Sequence, residues 1–444
     1  MVFLTVQIGN SQTVKEIEEI NRVLRERVAV GKTNQSIVVA LIDEKRTRFT
    51  GYGKTAQTTD AENADENTVF EIGSVTKVFT GTLLAEAVRR GEVALDDPIS
   101  KYLPKTVKTP LREGKEITLL DLATHSSGLP GLPTNFAPKD AGNPYSDYTV
   151  AQMYEFLSNY QLTRDIGTKY EYSNFGMGLL GHVLSLRAGM NYEDLVKTRI
   201  LKPLKMNDTI ITLSPRLKSR MAQGFDESGD AVSNWDIPTL AGAGALRSTA
   251  KDMAKFIGAN LNLRKSGLES AFAEAHKERR SAGGKMKIGL AWHILPNASG
   301  DIVWHNGGTG GFRSFAGFSG TRKKGIVVLT NTSESVDDIG FNFLDPTIAL
   351  RKVKPFVGVA EQVLEAYVGT YQFAPNVFLT VTRNSDRLFA QLTGQSRLRV
   401  FASADNEFYY RAVDARLTFN RGADGETESL TLHQNGEQTA RRVK

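Results

Sequence analysis

Residues 71–79 read EIGSVTKVF and contain the pattern from which the fold can be predicted. Ser74 stands where a strand-like run gives way to a helical one. We therefore expect it at a helix N-terminus, where unpaired backbone N–H groups stabilise a developing negative charge. Lys77 follows three residues later, one turn on and on the same face. A buried, neutral lysine amine can accept the seryl proton. Taken alone, the pattern equally fits a helix cap followed by a solvated lysine.

A second polar group follows about a hundred residues later, in residues 167–176, GTKYEYSNFG. A turn with the pattern Tyr–x–Asn can aim the phenol of Tyr172 and the amide of Asn174 into one cleft. The phenol can relay a proton, and the amide can hydrogen-bond a lysine or a substrate. By itself this segment also fits a turn with one packed aromatic residue.

A glycine-rich segment, residues 302–314, reads IVWHNGGTGGFRS. Its strand-like start places His305 just before Gly307 and Gly308. Glycines directly after a strand let the backbone approach a ligand closely and present N–H groups. The frames of a phosphate-binding loop and of a G-x-S-x-G nucleophile elbow are both absent from the chain.

The three motifs, in this order and spacing, resemble the serine β-lactamase and penicillin-binding-protein family. The match is to the branch that contains class C β-lactamases and related esterases and D-aminopeptidases, because that branch has Y-x-N as its second motif. Residues 118–130 (TLLDLATHSSGLP), 201–209 (LKPLKMNDT) and 243–252 (AGALRSTAKD) also look like family segments. The resemblance covers about residues 13 to 350.

The resemblance implies a role for each matching residue. Ser74 corresponds to the acylated nucleophile, and Lys77 to its activating partner. Tyr172 corresponds to the phenol that shuttles protons to the leaving group or the deacylating water, and Asn174 to the supporting amide. The backbone N–H groups of Ser74 and Gly308 correspond to the oxyanion hole. His125 falls in a scaffold segment, so a structural role is expected for it.

The chain departs from the family pattern at one motif. Where β-lactamases and transpeptidases show K-T-G, it has His305, Asn306 and Gly307. The family lysine is a permanent cation that helps attract a substrate carboxylate, whereas histidine is mostly neutral at pH 7. The H-x-G variant looks more like the family's esterases and D-aminopeptidases. Arg313 restores an anionic anchor if its side chain points into the cleft.

Strand-like runs at both ends of the region, with helices between them, predict one sheet built from distant segments and a helical insertion packed beside it. The family resemblance implies an α/β (α+β) catalytic domain over residues 1–353, with a β-lactamase/transpeptidase-like antiparallel sheet flanked by helices and an all-helical subdomain at about 75–240. The runs 36–42 and 47–52 read as a hairpin. Residues 354–444 show short alternating runs separated by turns, which predict a small β-barrel or sandwich. This second domain resembles the lipocalin-like β-domains attached to some family members, and its role stays open.

The composition of the chain argues against several classes of binding partner. The 444 residues include no cysteine and carry a net charge of +6 without a dense basic block, so nucleic acid is not expected. The six histidines are widely spaced in the sequence, and we predict neither a metal nor a cofactor. No run reaches the roughly 18 apolar residues of a membrane span. The first eight residues are apolar but lack a basic leader and a cleavage site, so a strand is favoured over a signal peptide. The family resemblance nevertheless implies a periplasmic or secreted protein.

The sequence thus predicts a serine hydrolase that forms an acyl-enzyme on an ester, amide or β-lactam carbonyl, with an esterase-like preference. A β-lactamase proper and a D-amino-acid-specific peptidase or carboxypeptidase are the alternatives. A non-turnover penicillin-binding sensor is the alternative from another class. An oligomer is compatible with all of these.

Overall fold

A computed structural model describes residues 4–443, with the side chains of residues 15–443. The chain divides into two compact units. The first comprises the described residues up to Val28 together with Thr33–Arg351, and the second comprises Ala29–Lys32 and the residues from Lys352 onward. The two units are described separately below.

An antiparallel sheet of eight strands forms the centre of the first unit. Its strands come from both ends of the unit, and the hairpin predicted near residues 36–52 is confirmed. In spatial order the strands are Thr47–Gly53, Ser36–Ile42, Lys324–Thr330, Arg313–Ser319, Ile302–Gly308, His293–Leu295, Lys287–Ile288 and Arg280–Ser281. Short two-stranded pairs lie outside this sheet: Val69–Glu71 with Arg247–Thr249, Leu111–Arg112 with Lys115–Glu116, and Gly224–Phe225 with Ala231–Val232.

Helices make up most of the region between the two groups of strands, as predicted, but the strand pairs at 111–116 and 224–232 mean that it is not all-helical. The α-helices of the first unit are Leu4–Arg25, Thr76–Arg89, Leu119–Ala123, Val150–Asn159, Asn174–Ala188, Tyr192–Val196, Lys202–Leu204, Pro215–Lys218, Ala241–Gly244, Ala250–Asn260, Glu269–Ala275 and Asp337–Leu344. Helix Leu4–Arg25 begins within the first eight residues, for which the sequence favours a strand. The strand expected at the start of the chain is therefore wrong from Leu4 onward, and residues 1–3 lie outside the described part.

The central strands of the eight-stranded sheet are buried on both faces, whereas the edge strand Thr47–Gly53 is partly exposed. In the central strands, alternate residues enter two separate apolar cores, as the pleat of a strand requires. One core, which contains Val303, extends into the helical region. The other contains Ile302 and Phe315 and includes residues of helix Asp337–Leu344. This alternation determines which residues of strand Ile302–Gly308 face the helical region.

Helix Thr76–Arg89, here called the nucleophile helix, passes through the first core. Its residues from Thr76 to Ala87 are all buried, as in a helix surrounded by protein on every side. A 3₁₀ turn, Gly73–Val75, precedes it and carries Ser74. Gly73 has φ +49°, a left-handed conformation that favours glycine. The helix start predicted around Ser74 is therefore confirmed.

The second unit contains a closed antiparallel barrel of eight strands, which confirms a barrel rather than a sandwich. Its strands are Gly369–Ala374, Val377–Asn384, Arg387–Leu392, Leu398–Ala402, Glu407–Tyr410, Arg416–Arg421, Thr427–His433 and Glu437–Arg442, preceded by helix Glu361–Tyr367. Alternate residues along the strands point inward, and apolar side chains such as Leu388, Val400 and Leu430 form the barrel core. A barrel of eight strands is just wide enough for side chains to fill it.

Candidate active site

The amine of Lys77 is buried and contacts three oxygen atoms. Its Nζ lies 2.9 Å from Ser74 Oγ, 2.8 Å from Asn174 Oδ1 and 2.7 Å from the carbonyl oxygen of Ala243. Burial holds the pKa of Lys77 well below its ordinary value. A neutral amine can donate its two N–H groups to Asn174 and Ala243, which leaves its lone pair for the Ser74 hydroxyl. This is the arrangement of a general base next to a nucleophile.

Tyr172 lies close to both Ser74 and Lys77. Lys77 Nζ is 4.8 Å from the centroid of the Tyr172 ring, and the phenol hydroxyl interacts with the Ser74 hydroxyl. Burial raises the pKa of Tyr172, so the phenol keeps its proton at neutral pH. In this state Tyr172 can donate a proton, whereas Lys77 is the group able to accept one.

Ser173 holds Tyr172 and Asn174 in place because it caps the helix that Asn174 begins. Its Oγ accepts the Gly176 N–H at 2.8 Å and donates to the carbonyl oxygen of Pro130 at 2.6 Å. Its own N–H donates to Nδ1 of His125 at 3.1 Å. His125 also lies against the Tyr172 ring, with centroids 4.6 Å apart. The scaffold role expected for His125 therefore includes direct support of Tyr172.

The backbone of Gly73 packs against the end of strand Ile302–Gly308. A Cβ on Gly73 would lie 2.7 Å from the nitrogen of Gly308, and one on Gly307 would lie 2.0 Å from the carbonyl oxygen of Ile72. Glycine is thus needed for this close approach. Ser74 and Gly308 line the same cleft. Their backbone N–H groups are the pair that the family resemblance assigns to an oxyanion hole.

A cluster of three histidines lies behind Tyr172. The ring of His305 is 4.9 Å from that of His293 and 6.2 Å from that of Tyr172, and the ring of His125 is 4.6 Å from that of Tyr172. Burial and the nearby Lys77 lower the pKa of His293 to about 4 and the pKa of His305 well below its ordinary value. These imidazoles are therefore uncharged at neutral pH. His305, which the family resemblance aligns with the lysine of K-T-G, is thus a neutral group.

Asn306 and Arg313 lie on the opposite face of the sheet from His305. Asn306 donates through Nδ2 to Asp337 at 2.6 Å. Arg313 pairs with Gly308 in the ladder and donates through Nη1 to the carbonyl oxygens of Thr309 and Phe312, at 2.8 and 2.9 Å. One arm of its guanidinium thus supports the turn after Gly308. The structure does not bring Asn306 or Arg313 to the Lys77 amine.

A small cavity at Ser74 is lined by ten described residues, none of which carries a charged side chain. Its lining residues are Gly73, Ser74, Tyr145, Asn174, Trp235, Ile237, Ala243, Gly244, Gly308 and Thr309. The rings of Tyr145 and Trp235 are 5.5 Å apart, and Asn174 donates to the Tyr145 hydroxyl at 3.4 Å. These two aromatic residues form a wall of the cleft.

Several of these residues are beyond what motif spacing can reveal. Tyr145 and Trp235 lie in loops without a recognisable pattern. The histidine cluster is built from positions 125, 293 and 305, which are far apart in sequence, whereas motif spacing can identify only ligands that are near one another in sequence.

In the part of the chain whose side chains are described, no three ligating residues are placed to hold a metal ion. Among the described helices, none is both long and apolar enough to cross a membrane.

Comparison with known proteins extends these observations. A family model described as Beta-lactamase matches residues 20–343, and one described as a domain of unknown function (DUF3471) matches residues 354–442. A β-lactamase of Escherichia coli (strain K12) is 29% identical over 366 residues, which cover 74% of this chain and 93% of that protein. A penicillin-binding protein of Bacillus subtilis (strain 168) is 26% identical over 425 residues, 88% of this chain and 91% of that protein. The crystal structure of a β-lactamase/D-alanine carboxypeptidase from Yersinia pestis aligns with a TM-score of 0.64 at 23% identity, over 73% of this chain and 97% of that chain.

Proposed function

This chain belongs to the Beta-lactamase family and is a serine hydrolase, and we propose that it hydrolyses uncharged esters or amides in preference to β-lactams. Ser74, Lys77 and Tyr172 are proposed as its catalytic residues. The observation that carries the preference is the charge around Ser74: the described residues that line the small cavity there include no charged side chain, and His305, which the family resemblance aligns with the lysine of K-T-G, is a neutral imidazole. β-Lactams carry a carboxylate, and a buried carboxylate needs a cationic partner.

The proposed reaction begins with transfer of the Ser74 proton to Lys77 Nζ as Oγ bonds to the substrate carbonyl carbon. The carbonyl electron pair moves onto oxygen, where the N–H groups of Ser74 and Gly308 stabilise the oxyanion. The intermediate collapses, the bond to the leaving group breaks, and that group takes a proton through the Tyr172 hydroxyl. Water then attacks the acyl-enzyme, loses a proton to the same groups, and releases the acid and free Ser74.

The proposal is tested by comparing a short-chain p-nitrophenyl ester with a chromogenic cephalosporin, using Ser74→Ala as the blank. We expect kcat/KM for the ester to be higher by about 30-fold or more, because leaving one charge of a buried pair unpaired costs about 2 kcal/mol or more. A faster cephalosporin reaction would contradict the preference and indicate a β-lactamase. Cleavage of only D-amino-acid peptides would indicate a peptidase or carboxypeptidase. One equivalent of product followed by a stable adduct would indicate a sensor.

His305→Lys provides a second test of the charge argument. A lysine at this position introduces the permanent cation of the K-T-G motif, so we expect the ratio of cephalosporin to ester kcat/KM to rise about tenfold, the effect of about 1.4 kcal/mol of added attraction. His305→Gln is the matched control, because it is neutral and its ratio should not rise. An unchanged or lower ratio in a folded His305→Lys protein would count against the argument.

Export from the cytoplasm and the oligomeric state stay predictions.

A further inference from the structure

Glu71 is a buried carboxylate three residues before the nucleophile, at the end of strand Val69–Glu71. Only 4% of its surface is exposed. Its Oε1 accepts the backbone N–H of Trp235 at 2.8 Å and lies 3.5 Å from Nη2 of Arg247, the residue opposite it in the strand pair. Because a buried charge is costly even when it is paired, its presence beside the cleft calls for a reason.

The ion pair holds Trp235 by both of its backbone groups. Glu71 accepts the Trp235 N–H, while Arg247 Nη2 donates to the Trp235 carbonyl oxygen at 2.8 Å and to Asp236 Oδ1 at 3.1 Å. The Trp235 indole lies over Gly310, where an added Cβ would be 2.9 Å from Nε1. The pair thus fixes the aromatic wall of the cleft.

Glu71 also reaches the turn that follows the proposed oxyanion-hole donor. Burial raises the pKa of Glu71, and the nearby Thr309 side chain, which directly follows Gly308, opposes that rise. Thr309 is buried and lines the cleft at Ser74, and its Oγ1 and Glu71 Oε2 have no hydrogen-bond partner among the described residues. A single carboxylate therefore accepts the N–H of the cleft wall, lies beside the 308–310 turn, and belongs to the strand that leads into Ser74.

From these contacts we propose that Glu71 is a positioning residue, which holds Trp235 and the Thr309 turn in register with Ser74. The inference rests on the proposed function, since it takes Ser74 as the nucleophile. Small displacements of a reacting geometry are expensive, and a misplacement of about 1 Å can reduce a rate about a hundredfold. Loss of Glu71 should therefore affect both substrate binding, through Trp235, and the chemical step, through the turn.

The test compares Glu71→Gln with Glu86→Gln. Glu86 is a matched control because it is also a buried carboxylate paired with arginines, Arg89 and Arg90, but lies far along the nucleophile helix and outside the cleft lining. Each variant is measured for thermal unfolding, for kcat and KM on a p-nitrophenyl ester, and for the rate at which a fluorophosphonate labels Ser74. We expect Glu71→Gln to lower kcat/KM and the labelling rate about tenfold or more. Glu86→Gln should leave both within about twofold while losing comparable stability.

Thr309→Val keeps the test decisive if Glu71→Gln does not fold. This near-isosteric change removes the hydroxyl that faces Glu71, and we expect a smaller loss of the same kind. In the double variant the two effects should be less than additive, because both act on one contact. If Glu71→Gln and Thr309→Val match Glu86→Gln in labelling and kinetics, the positioning role is wrong. If the wild-type Ser74 is not labelled at all, the proposed nucleophile is wrong instead.

Discussion

Replacing Ser74 with alanine is expected to lower ester hydrolysis by about 10⁴-fold or more, to the level of the uncatalysed reaction with bound substrate. The reason is geometric. Among the described residues, Ser74 supplies the only hydroxyl hydrogen-bonded to the buried Lys77 amine, 2.9 Å from Nζ, and this hydroxyl also interacts with the phenol of Tyr172. Without Oγ no covalent intermediate can form, and the remaining groups can only bind substrate. The measurement is kcat/KM on a p-nitrophenyl ester.

Ser127→Ala is the matched control for this substitution. Ser127 is also buried, in the scaffold segment 118–130, and its Oγ accepts the N–H of Leu129 at 3.3 Å without contacting the catalytic residues. We expect it to retain near wild-type activity. Mass spectrometry after fluorophosphonate treatment should show an adduct on Ser74 in the wild type and in Ser127→Ala. Retention of more than about 1% of activity by folded Ser74→Ala would show that another group is the nucleophile.

Much of the fold could be predicted because its signals are local. The hairpin at residues 36–53 and the helix after Ser74 follow from short-range patterns, and the eight-stranded sheet follows from strands at both ends of the unit. The last barrel strand, Glu437–Arg442, carries no such local signal. In Glu437–Arg442 only Ala440 is buried, so the strand has almost no apolar alternation to recognise. It forms because the barrel offers it a partner on each side.

The candidate site likewise contains some residues that could be predicted from the sequence and others that could not. Lys77 could be placed beside Ser74 because one helical turn separates them, and the family resemblance joined Tyr172 and Asn174 to the pair. The side-chain direction of Arg313 could not be predicted, because it depends on the register of its strand against Gly308. Nor could the histidine cluster, which arises only when the sheet brings His293 and His305 together behind Tyr172. Contacts between residues far apart in sequence need the tertiary structure.

Replacing Lys77 with methionine is expected to lower kcat/KM for the p-nitrophenyl ester by about 10²–10⁴-fold, the usual contribution of a positioned general base. In the wild type, kcat/KM should fall as the pH is lowered, because protonation of Lys77 removes the lone pair that accepts the Ser74 proton. Burial lowers the pKa of Lys77, so the neutral base is already populated at pH values where an ordinary lysine is charged. This acidic limb should be absent from the residual activity of Lys77→Met.

Stability provides an independent check of the same pKa. The folded state holds Lys77 with a lowered pKa, so it binds fewer protons there than the unfolded chain, and the free energy of unfolding falls as the pH drops below the ordinary lysine value of about 10.4. Lys77→Met removes this penalty and should melt at the same or a higher temperature at neutral pH, with the difference shrinking at alkaline pH.

Lys77→Arg keeps the charge but cannot act as a neutral base. If Lys77→Arg retained full activity, Lys77 would be needed only as a cation, and the phenol of Tyr172 would have to be the base despite its raised pKa.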